Sequence, residues 1–152
     1  MNKIAQEIKP KIKRVLGDLD MYSIEAGELV FRTGMAESGY RVLRQVGGGP
    51  AVGYFQVEPD TALDIWDNWL IYRPAIVAAL VLATGCDKGP WSDDEIVANI
   101  DLQIALCRLH YRRKPGSIPK DIDGQAHYWK QWYNTPEGKG TVEHFLTANS
   151  ET

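Results

Sequence analysis

Glu37 ends a largely apolar segment and is followed at once by Ser38; a glycine-rich return, "GGGPAVGYFQ", and "VEPDT" come next. A carboxylic acid in apolar surroundings holds its proton to higher pH, which suits it to protonate a leaving oxygen near neutrality, as cleavage of a glycosidic bond requires. Glycines at 47, 48, 49 and 53 let the backbone come close to a polymer and expose its NH and CO groups, since no Cβ blocks access. Gln56 can both donate and accept hydrogen bonds, so it is suited either to holding an acetamido group or to bracing the loop. Ser38 is read as a hydrogen-bonding partner of the loop rather than a nucleophile, because no His-Asp pair stands near it in sequence. A second carboxylate, which hydrolysis by either glycosidase geometry requires, would come from Glu58, Asp60 or Asp64. Only Glu58 adjoins the loop.

The elements that must position these groups read as helices separated by Gly and Pro. Ile4, Ile8, Ile12, Val15 and Leu16 recur at helical spacing until Gly17, with Pro10 inside the run as a point of kinking or delay. Ser23 has the character of an N-cap. Ala26, Val30, Thr33 and Glu37 then follow at steps of four, three and four, which puts the carboxylate on the inward face of its helix. Gly39 closes it. Residues 43–57 carry strand-forming side chains, but the glycines make the stretch a loop or a short irregular hairpin. "EPDTALDIWDNWL" starts a helix at Pro59, and Pro74 opens another that Gly85 ends. "WSDDEIVANIDLQIALCRLHYRR" reads as one long helix behind a Ser92/Glu95 capping box, with Ile96, Ile100, Ile104 and Leu109 as its apolar repeat. "DGQAHYWKQWYN" and "TVEHFLTA" are shorter helices. The expected fold is mainly α, a helical domain spanning 1–152 with a small irregular β element around 43–57. A chain of 152 residues suits one core.

Composition narrows the function classes. A net charge of −3 and a pI of about 5.6 give no case for nucleic acid as the main partner. Bases nevertheless cluster at Lys9, Lys11, Lys13 and Arg14, and again at Arg108, Arg112, Arg113 and Lys114; these are solvated helix faces or contacts with an anionic polymer. The cysteines, Cys86 and Cys107, have neither metal-ligand spacing nor disulfide density and read as small buried hydrophobes from a reducing compartment. His110, His127 and His144 form no ligand motif, and the glycine run is not followed by Lys-Ser/Thr. No metal and no nucleotide cofactor is expected. Charged residues interrupt the N-terminal segment, so it does not read as a secretory signal, and "PAIVAALVLATG" is too short to span a bilayer. Trp129 and Trp132 could line sugar subsites, with core packing the expectation for at least one.

"ES" at 37–38, followed after a spacer by "GPAVGYFQVEPDT", resembles the lytic transglycosylase and goose-type lysozyme superfamily. That pattern is Glu-Ser, then Gly-Ala-x-Gly-Leu-Met-Gln, then a Pro-x-Thr helix start. Gly49, Gly53, Gln56, Pro59 and Thr61 match it in order, "ANIDLQIALCRLHY" resembles the family's Asn-Ile helix, and "WYNT" at 132–135 its Tyr-Asn block. The chain is also similar to small bacteriophage proteins with a "GGGPA-G" loop and a "YNTP-GKGTVE" segment. It departs from the superfamily pattern at Pro50, at Tyr54-Phe55 in place of Leu-Met, and at Thr135-Pro136 in place of Ala-Gly.

The resemblance implies a lysozyme-like fold and cleavage of the β-1,4 bond between N-acetylmuramic acid and N-acetylglucosamine, with Glu37 as the one acid and base. Ser38, Gly49, Gly53, Tyr54, Gln56, Tyr133 and Asn134 would lie against the glycan, Tyr133 near the catalytic carboxyl. It implies peptidoglycan as partner, together with other virion or lysis proteins, and a phage product made in the host cytoplasm without a signal peptide and either carried in the virion or delivered to the periplasm or cell wall by other factors. The alternative reading is a non-catalytic lysozyme-like virion or host-interaction protein that binds glycan or protein without turnover.

Overall fold

The structure, a computed structural model, describes residues 1–151 and is mainly helical. In chain order the helices are α1 (Lys3–Asp18), α2 (Ile24–Glu37), α3 (Pro59–Asn68), α4 (Pro74–Thr84), α5 (Asp93–Ala98), α6 (Ile100–Arg112), α7 (Ile122–Trp129) and α8 (Val142–Ala148). A 3-10 turn (Leu70–Tyr72) links α3 to α4, and α7 runs on into a π turn (Lys130–Asn134). Among the described residues, no helix is long and apolar enough to cross a membrane.

The local chemistry accounts for most helix ends. Asn2, Ser23, Asn99, Asp121 and Thr141 each cap the helix that follows with a side-chain oxygen, and Ser92 and Glu95 form the reciprocal capping box of α5. Gly85, left-handed at φ 70°, ends α4. α1 continues through Pro10, an exposed residue.

The single helix expected over 91–113 is two. Asn99 leaves the helical region at φ −128° and ψ 98°; its Oδ1 accepts from Leu102 N at 2.9 Å while its Nδ2 donates to Thr84 O at 3.0 Å. A tie to the end of α4 and a cap for α6 together outweigh continuity of the apolar repeat, which periodicity alone does not reveal.

α6 forms the centre. Leu102 to Cys107, Leu109 and Tyr111 are all buried, and α1, α2, α3, α4, α5 and the π turn pack around it. The main core gathers Ile8, Leu16, Leu29, Ile65 and Leu80 against this helix, whereas Ala36, Ala126, Trp129 and Phe145 make a second, smaller cluster where α2, α7 and α8 meet. Residues 43–57 form the expected irregular element: antiparallel bridges join Arg44 to Val52 and Val52 to Val57, outside any longer strand. Cys107 is buried, Cys86 half-buried, and both are free thiols.

Candidate active site

Glu37 stands where the two cores meet, in the last turn of α2. Ala26, Val30 and Thr33 are fully buried on one face of that helix, and Glu37 continues the stripe one turn further on. Trp129 Nε1 donates to Glu37 Oε2 at 2.9 Å. Burial pushes the Glu37 carboxyl up to about 7, against the lowering effect of the Trp129 bond. The negative end of the α2 dipole acts in the same direction as burial. The acid thus remains protonated in a substantial fraction of molecules near neutral pH.

The glycine-rich return is fastened beside this carboxyl by groups from three elements. Ser38 Oγ donates to Tyr54 O at 2.6 Å and accepts from Tyr40 N at 3.0 Å. Buried Gln103 of α6 accepts from Tyr54 N at 3.0 Å and donates through Nε2 to Ile96 O at 2.8 Å. Tyr133 of the π turn donates its hydroxyl to Phe55 O at 2.6 Å. The chain can double back this tightly because Gly34 leaves room for the Tyr40 ring: a Cβ there would collide with the phenol, which stacks on Phe31 and donates to Phe31 O. Gly53 is needed as well. Its φ is +80°, and a Cβ would come 2.9 Å from the Gln103 side chain.

A groove of about 490 Å³ opens at Glu37. Gln45, Gln56, Glu58 and Thr61 line it from the loop and the start of α3, and His110, Tyr133, Asn134 and Lys139 from α6 and the segment after α7. Of the residues expected at a site, Glu37, Gln56, Tyr133 and Asn134 therefore come together. Ser38, Gly49, Gly53 and Tyr54 lie outside the lining. Ser38 is spent on the loop, Tyr54 turns its ring into the core beside Tyr40, Gly53 abuts Gln103, and Gly49 abuts the Gln45 side chain.

Gln56 lines the groove and also braces the loop. At φ +51°, it donates through both its backbone N and its Nε2 to Gly53 O, at 3.1 and 2.9 Å. Asn134 accepts at Oδ1 from Lys130 Nζ at 2.9 Å, and that ammonium also ties Thr135 O and Gly138 O, which closes the 134–138 turn. Burial, Cys107 and Glu37 together raise Tyr133 well above the usual phenol range, so its hydroxyl remains a donor. Of the other carboxylates, Asp64 accepts from Arg113 at 2.7 Å and from Asn68 at 2.6 Å, and Asp60 is exposed. Glu58 alone of the three lines the groove.

Trp129 is 1% exposed and packs in the smaller core, so its contribution is the indole N–H on Glu37 rather than a sugar platform. His110 had no site role in the sequence reading. Its Nε2 donates to Trp132 O at 3.1 Å and its ring meets Tyr133 edge-on at 4.8 Å. Burial pushes it down to about 4, so it is a neutral imidazole with Nδ1 bare. A signal for it existed: Gln103, Cys107 and His110 recur at steps of four and three, a polar stripe along the central helix. All three histidines bond backbone carbonyls, His127 that of Asp123 and His144 that of Ala36. Among the described residues, no group of three or more His, Cys, Asp or Glu is arranged to hold a metal.

No family model matches the chain, and neither the curated proteins nor the solved structures include a match. The groove itself brings together one acid of raised pKa, a neutral imidazole, a phenol and three side-chain amides around a polar cleft.

Proposed function

We propose that the protein cleaves the β-1,4 glycosidic bond of peptidoglycan, with Glu37 as general acid and then general base. The observation that carries this reading is the Glu37 carboxyl itself, held through one oxygen by Trp129 at the edge of the groove and raised by burial to about 7. Glu37 gives its proton to the bridging oxygen, and the bond from that oxygen to the muramyl anomeric carbon breaks. The substrate's acetamido oxygen supports the resulting cation. Glu37, now a carboxylate, takes the proton of the muramyl 6-hydroxyl as that oxygen closes on the anomeric carbon, which yields a 1,6-anhydro end and restores the acid. Gln56 and Asn134 supply amide groups suited to the N-acetyl substituents that line such a strand.

Glu37→Gln keeps the shape and an acceptor for Trp129 but removes the proton. Turbidity clearing of purified cell wall is expected to fall by about 100-fold or more; clearing equal to that of the parent would remove Glu37 from the chemistry. Mass analysis of the products separates the two routes, because an anhydro end marks ring closure and a reducing end marks hydrolysis. Glu58→Gln separates them a second time: it leaves ring closure nearly unchanged and suppresses hydrolysis that depends on a second carboxylate. A parent protein that binds wall glycan without releasing fragments would instead be the non-catalytic lysozyme-like binder.

A further inference from the structure

On the side of α6 turned away from His110, a second cavity of about 410 Å³ is ringed by Arg108, Arg112, Lys114 and Lys120, with Glu25 as the one carboxylate in its lining. Arg108 and Arg112 are one helical turn apart, and at 100° per residue His110 points about 200° from Arg108, so the two cavities open on opposite sides of the central helix.

Arg14, Arg32, Arg44 and Arg113 each pair with a carboxylate, whereas the cations of this cavity do not. Among the described residues, Arg108 uses only its Nε, donated to Met21 O at 3.0 Å, and Arg112 and Lys120 make no ion pair. Lys114 stands over the Trp132 ring at 6.0 Å. Burial and the neighbouring Arg112 both lower the proton affinity of Arg108, a cost that a bound anion would relieve. A half-buried guanidinium with both terminal nitrogens unused, beside a second guanidinium in a cavity that two lysines also line, offers the donors that tetrahedral oxyanions take up. The cations ring one cavity rather than run along a face, and a chain of net charge −3 offers a length of polyanion little general attraction.

We propose that this cavity binds a phosphate group carried by a small molecule or a lipid headgroup, with Arg108 and Arg112 as the principal donors and Lys120 as a flanking charge. The proposal is independent of the glycosidase reading, since it uses no residue of the Glu37 groove.

The test titrates the isotopically labelled full chain with inorganic phosphate at constant ionic strength and follows backbone amide shifts, with chloride as the control anion. Saturable shifts are expected around residues 112–120, weakened about tenfold in Arg112→Ala or Lys120→Ala, the loss of one charge-assisted hydrogen bond. Both are surface-facing substitutions that leave the core intact, and Glu37→Gln is expected to bind phosphate as the parent does. Glycerol phosphate and phosphatidylglycerol vesicles then distinguish the sources: competition by the soluble ester alone marks a small molecule, and sedimentation with vesicles that Arg112→Ala abolishes marks a headgroup. Shifts that fail to saturate, that chloride reproduces, or that survive in the Arg112→Ala, Lys120→Ala double variant would overturn the proposal.

Discussion

At the scale of single residues, the central relation is that between Glu37 and Trp129. The indole hydrogen bond favours the charged carboxylate and burial favours the neutral acid; burial wins, and the carboxyl titrates at about 7. If Glu37 is the acid, the rate of wall clearing should fall as pH rises through about 7. Trp129→Phe removes the N–H that lowers the carboxyl, so the alkaline limb should move to higher pH, visible in a pH profile of the initial rate. The same shift has a consequence for stability. Between the unfolded carboxyl's 4.5 and the folded 7, the folded state binds more protons than the unfolded one, so stability falls as pH rises through that window and is flat above it. Glu37→Gln abolishes this loss. Urea unfolding at pH 4.5 and pH 8 should show the variant gaining on the parent by roughly 2 to 3 kcal/mol at the higher pH. An unchanged difference between the two pH values would mean that Glu37 is solvated.

At the scale of elements, the site depends on how the 38–57 return is held against α2 and α6. Ser38, Gln103 and Tyr133 fix three backbone atoms of Tyr54 and Phe55, and Gly34 admits the Tyr40 ring that anchors the turn. Ser38→Ala removes one of these ties and leaves the buried Tyr54 carbonyl without its donor. A loss of about 1 to 2 kcal/mol in unfolding free energy is expected, with reduced clearing at every pH and no movement of the alkaline limb. That combination identifies a positioning residue rather than a group that transfers the proton. Gly34→Ala should be harsher, because the added methyl meets a fully packed ring; about 1 to 3 kcal/mol, or failure to fold, is expected from thermal denaturation.

At the scale of the whole molecule, the acid lies on the boundary between two hydrophobic clusters, and the smaller one holds Trp129, the hydrogen-bonding partner of its carboxyl, in place. Phe145 of α8 packs on Trp129 with ring centroids 5.4 Å apart, and His144 donates to Ala36 O at 2.7 Å beside Glu37. Phe145→Ala is therefore expected to cost about 3 to 5 kcal/mol and to shift the pH limb of clearing, although Phe145 lies outside the groove. The sequence by itself determined the helices and most of their ends, because caps and apolar spacing act over three or four residues: Ser23, the Ser92/Glu95 box, Pro59, Pro74 and Gly85 all stand where they were expected. It also determined that Glu37 shares the buried face of α2, which helical phase alone dictates. Only the tertiary structure decided what lies opposite. Trp129 is 92 residues from Glu37, and Tyr133 is 78 from Phe55. The break at Asn99 rests on a bond to Thr84, and the inward turn of Tyr54 rests on its packing with Tyr40. Each follows from packing between distant segments, and no local pattern of residue types carries that information.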